Sequence, residues 1–125
     1  GDDVAVFTYG AMTRPTLDAA ERLAEEGVEC EVVDLRTVSP LDREAIVAAF
    51  EATGRAVVVH EAPKTGGVAA EVTAILQEEA LLYQEAPVER ITGFDTPVPL
   101  YALEDYYLPS PTRIEDGIRE VVDFR

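Results

Sequence analysis

His60-Glu61 is the one imidazole–carboxylate neighbour pair in a chain that holds a single histidine. An imidazole at the carboxyl end of a strand has the chemistry of a general acid or base. The pair follows an unbroken apolar run, Ala56-Val57-Val58-Val59, which reads as a strand covered on both faces. Neighbours along an extended strand point to opposite faces, so His60 and Glu61 do not reach each other unless the chain turns sharply. A loop histidine with its hydrogen bonds satisfied is the plainer reading. Thr65-Gly66-Gly67, at the start of a helical pattern, either cradles an anion with free N–H groups or lets helix and strand pack closely. It is not a Walker loop, because Lys64 precedes the glycines instead of following them. Gly10-Ala11-Met12-Thr13 is a second such turn and lacks dinucleotide-binding spacing. Cys30 stands alone, which excludes an internal disulfide, and no Cys or His pair has metal-ligand spacing. No complete catalytic, cofactor-binding or metal set is expected.

The elements that position these residues can be read in order. Val4 to Tyr9 forms a first buried strand. A helix follows Thr13-Arg14-Pro15-Thr16, with the stripe Leu17, Ala20, Leu23 and Ala24, and stops at Gly27. Val28 to Leu35 alternates at first, as an edge strand does. Ser39-Pro40 opens a helix with the stripe Ile46, Ala49 and Phe50, ended near Gly54. The central strand from Ala56 meets Pro63, which is expected to end its ladder. A long helix then runs from Val68 to about Tyr83, on the stripe Val68, Val72, Ile75 and Leu76. Val88 to Thr92 is a fourth strand. Gly93-Phe94-Asp95-Thr96-Pro97-Val98-Pro99 cannot be helix. With Tyr106-Tyr107 it is either a buried crossover or a partner surface of stiff, low-entropy side chains. Thr112-x-x-Glu115 offers a capping box to a last helix with the stripe Ile114, Ile118, Val121 and Val122. Strands alternating with helices predict one domain, residues 1–125. Its fold class is α/β: a three-layer α/β/α sandwich on a parallel sheet of order 2-1-3-4.

Composition narrows the partners. Twenty-five acidic residues against ten basic ones give a net charge of −15, so nucleic acid is a poor partner. No apolar run approaches the ~20 residues of a membrane span, and neither a targeting segment nor a disulfide framework is visible, which reads as cytoplasmic. The acids punctuate every helix, as in Glu21, Glu25, Glu26, Glu78 and Glu79. That pattern suits a folded domain adapted to high salt.

His60-Glu61-Ala62-Pro63-Lys64-Thr65-Gly66-Gly67-Val68-Ala69-Ala70-Glu71 resembles the carboxy-terminal domain of the beta subunit of thiamine-diphosphate-dependent 2-oxo acid dehydrogenases. The resemblance includes Tyr9-Gly10, Val33 to Pro40, Glu85 to Val88, Gly93 to Pro99 and Leu103 to Pro109. The HEAP-x-TGG form is closer to the branched-chain enzyme than to the pyruvate enzyme. The resemblance implies a transketolase carboxy-terminal-type fold in an α2β2 enzyme that decarboxylates a 2-oxo acid and passes the acyl group to a lipoyl domain. It places thiamine diphosphate and magnesium between the alpha subunit and the beta subunit's amino-terminal domain, so no catalytic role carries over to His60 or Glu61. It implies a further antiparallel strand ahead of Gly1, so that the chain reads as a fragment with a bare sheet edge. The implied role is assembly: packing on a second beta subunit and docking the small subunit-binding domain of an acyltransferase core. The candidate contact residues are His60, Glu61, Pro63, Gly66 and Gly67, then Phe94, Asp95, Pro97 and Pro99, then Tyr106, Tyr107 and Phe124 in the terminal stretch Val122 to Arg125. The alternatives are a free-standing α/β module that binds a small anion, or the equivalent domain of transketolase or deoxyxylulose-phosphate synthase.

Overall fold

The computed structural model describes residues 2–35, 41–63, 68–93 and 110–124. Four strands, β1 (Val4–Thr8), β2 (Cys30–Asp34), β3 (Ala56–Pro63) and β4 (Glu89–Gly93), alternate with helices α1 (Thr13–Glu25), α2 (Arg43–Thr53) and α3 (Val68–Glu79). Helix α4 (Pro111–Asp123) closes the chain. Among the described residues every strand pairing is parallel, and the order is β2-β1-β3-β4. Burial explains that order. All five residues of β1 are buried, whereas β2 alternates between half-buried and exposed positions and takes an edge.

Alternate residues of the central strands supply two cores. On one face Val4, Val6, Val57 and Val59 pack with Leu23 of α1 and with Ile114 and Ile118 of α4. On the other, Ala5, Phe7, Ala56 and Val58 pack with Ile46 and Phe50 of α2 and with Ile75 and Leu76 of α3. The three-layer sandwich follows, since each helix must bury its apolar stripe against one face of the sheet. Helix α4 approaches β4 through Gly117, where a β-carbon would stand 2.3 Å from Ile91 Cδ1. Among the described residues no helix is long and apolar enough to cross a membrane.

Local details depart from the sequence reading for identifiable reasons. The buried residues of α1 are Thr16, Ala19 and Leu23, while Leu17 and Ala24 face solvent. Thr16 turns inward at no polar cost because its hydroxyl donates to the Met12 carbonyl at 2.7 Å. Helix α2 starts later than Ser39-Pro40 suggests: Asp42 caps it, accepting from the Ala45 N–H at 3.1 Å. Ser39-Pro40 itself lies outside the described residues. In α4 the cap is Ser110, which accepts from the Arg113 N–H at 3.2 Å, with Pro111 opening the helix. Glu115, expected in a capping box, instead pairs with Arg22 of α1 and Arg119 of α4. Strand β3 continues through His60 and Glu61 to Pro63, with a register irregularity against β4 between Val59 and Pro63. Helix α3 stops at Glu79, and Leu81–Tyr83 forms a separate 3-10 turn.

Candidate functional site

His60 sits on β3, on the face that carries Val58, and is fully buried. Its ring stacks on Tyr9 beyond the end of β1, with centroids 5.9 Å apart and planes 18° apart. Nε2 accepts from the Ala69 N–H in the first turn of α3 at 3.2 Å. An accepting Nε2 carries no proton, so the neutral ring holds its proton on Nδ1. Burial, then the positive charge of Arg90, lowers the pKa of the imidazole. The ring is therefore a neutral cap on α3, sealed from solvent and spent on a backbone amide. It also takes one of the N–H groups that an anion at the start of α3 would use. Burial likewise disposes of Cys30: desolvation first, and Asp3 next, push its thiol up to about 11. At neutral pH it is not a nucleophile.

A groove of about 660 Å³ runs beside β2. Its floor is the small-residue face of α2, with Ala45, Ala49 and Ala52, and its charged lining is Asp2, Glu31 and Asp34. Those carboxylates repel a diphosphate, which needs cations or convergent N–H donors. Among the described residues no cluster of His, Cys, Asp or Glu could hold a metal ion. The side chains described here do not fit thiamine diphosphate with its magnesium ion.

Among the described residues, the large exposed apolar side chains lie elsewhere. Leu81 is 57% exposed, Leu82 98%, Tyr83 50% and Phe124 45%. The first three follow α3, where Glu85 N–H bonds the Gly54 carbonyl at 2.8 Å, just before β3 begins. Arg55, the next residue, donates to the Val121 carbonyl near the end of α4. The 3-10 turn and Phe124 therefore share the amino-terminal end of the sheet. The sequence reading runs a helix through Leu81, Leu82 and Tyr83, which the structure places on a separate 3-10 turn. The signal was present, because three consecutive apolar residues sweep about 200° of a helix and cannot share one buried stripe. Glu61 and Pro63 lie at the end of β3. Gly66, Gly67, Phe94, Asp95, Pro97, Pro99, Tyr106 and Tyr107 lie outside the described residues. Among the candidate contacts, the structure thus places His60 inside the fold and Phe124 on its surface.

Comparison with known proteins decides the family. A profile described as transketolase, C-terminal domain, matches residues 1–114. The chain belongs to the transketolase C-terminal domain family. This transketolase C-terminal domain is 46% identical over 124 residues to the pyruvate dehydrogenase E1 component subunit beta of Bacillus subtilis (strain 168). It is 44% identical over 126 residues to the 2-oxoisovalerate dehydrogenase subunit beta of the same organism. Each comparison covers 99% of the chain and 38% of the relative, so the domain spans well under half the length of either protein. Among solved structures, a split gene transketolase in an inactive beta4 tetramer superposes with a TM-score of 0.86 at 29% identity. That match covers 99% of this chain and 39% of the other. A 2-oxoglutarate:ferredoxin oxidoreductase from Magnetococcus marinus shares the fold, with a TM-score of 0.65 at 16% identity over 97% of this chain and 18% of its own.

Proposed function

We propose that this chain is the carboxy-terminal domain of the beta subunit of a thiamine-diphosphate-dependent 2-oxo acid dehydrogenase. In that reading its work is assembly and docking, and the cofactor is held by other parts of the enzyme. The observation that carries the proposal is the pattern of coverage: identity of 46% and 44% to two such beta subunits runs through 99% of this chain and only 38% of theirs. The buried, neutral His60 supports leaving proton transfer to residues outside this domain. The acid-lined groove supports leaving the diphosphate outside it as well. Partner contact is supported by the apolar Leu81-Leu82-Tyr83 turn and Phe124, gathered at one end of an otherwise acidic molecule. Within an α2β2 assembly, that end is our candidate for the surface offered to the acyltransferase's subunit-binding domain.

Calorimetric titration tests both halves. Thiamine diphosphate with magnesium is expected to give no saturable heat with this chain. The subunit-binding domain of the matching acyltransferase is expected to bind, and Leu82→Asp to weaken it about tenfold or more, as loss of an interface anchor does. Saturable cofactor binding by the chain, or equal affinity of the wild type and Leu82→Asp, overturns the reading.

A further inference from the structure

The geometry points to His60 as a proton-sensitive latch that holds the first turn of α3 against the end of β3 and lets go when the ring is protonated. The latch is one hydrogen bond, Ala69 N–H to Nε2 at 3.2 Å, made by a ring with no exposed surface. Protonating Nε2 sets a donor against a donor, so the bond is lost and replaced by repulsion. The described groups that act on the ring oppose the positive charge or are indifferent to it. The amino end of α3 presents the positive pole of the helix. Arg90, on β4, is cationic and already disfavours the charged ring. Tyr9, stacked on it from the end of β1, is neutral. Glu71, the acidic residue in the first turn of α3, is exposed and gives the ring no hydrogen bond. Nδ1 has no partner among the described residues, so nothing there gains from a second ring proton.

A buried imidazole in this position has two choices as pH falls: stay neutral, or open the turn and take up its proton in water. Opening is therefore coupled to proton uptake. Below about pH 6.5, the pKa of a solvated histidine, the opening constant rises about tenfold for each pH unit until the folded ring itself titrates. Because the chain holds one histidine, ring titration anywhere in this protein is His60.

Amide hydrogen exchange of Ala69, corrected for intrinsic exchange chemistry, tests the latch between about pH 7.5 and 5. Amides of β1 report global opening in the same samples. In the wild type, the Ala69 opening constant is expected to exceed that of β1 throughout and to rise as pH falls below about 6.5, by up to about tenfold per unit while the folded ring stays neutral. His60→Gln keeps an acceptor oxygen and removes the titration, so its Ala69 profile should be flat. Nitrogen-15 spectra of the wild-type ring at neutral pH should show the Nδ1–H tautomer, which keeps the test decisive even if the variant fails to fold. Parallel profiles in wild type and His60→Gln, or an Nε2–H tautomer, overturn the proposal.

Discussion

At the level of single residues, the environment and not the residue type settles what a group can do. His60 is the chain's one candidate acid or base, yet its acceptor nitrogen is committed to a helix amide and its ring to Tyr9. Gly54 shows the same dependence. It ends α2 in the left-handed region, at φ 73°, and a β-carbon there would lie 2.2 Å from Glu85 Oε2 and 2.9 Å from the Tyr83 carbonyl oxygen. The carboxylate can swing away, but the backbone oxygen cannot. Gly54→Ala is expected to cost about 2 kcal/mol, combining left-handed strain with the clash. Urea unfolding of the two proteins measures this, and an unchanged midpoint contradicts it.

Among the elements, helix starts were the least legible part of the chain, because several residues near each start could serve as a cap. Ser39 and Thr112 are capping types by composition. Asp42 and Ser110 do the capping seen here, since the cap falls where the chain turns onto the sheet. Two substitutions separate the readings for α4. Ser110→Ala should destabilise the protein by about 1 kcal/mol, the usual cost of a lost cap. Thr112→Ala, at an exposed position, should stay within about 0.5 kcal/mol. Thermal melts of both variants check the difference, and the reverse order would restore the Thr112–Glu115 capping box. Glu115 could not have been assigned from sequence, because its partner Arg22 is on a helix 93 residues away.

For the whole molecule the decisive property is charge, −15 on 125 residues. Ion pairs such as Arg43 with Glu78 and Glu79, or Arg119 with Glu26 and Asp116, lie on exposed side chains and contribute little each. Acidic residues outnumber basic ones 25 to ten. Self-repulsion therefore outweighs pairing, and added salt should help more than it harms. The melting temperature is expected to rise from about 0.1 M to molar potassium chloride, as the screening length shrinks from about 10 Å to about 3 Å. A flat or falling series would show that the surface pairs dominate.

The sequence by itself determined the architecture: four strands, their parallel order and the two central positions. Unbroken apolar runs can be buried only between two helical layers, and alternating ones only at an edge. Those signals are local and periodic, so one chain displays them without its neighbours. The tertiary structure alone decided that His60 lies inside the fold and that Glu115 bridges two helices. Each of those facts depends on which distant segments meet. Burial and hydrogen bonding are properties of the packed whole, and no spacing along the chain encodes them.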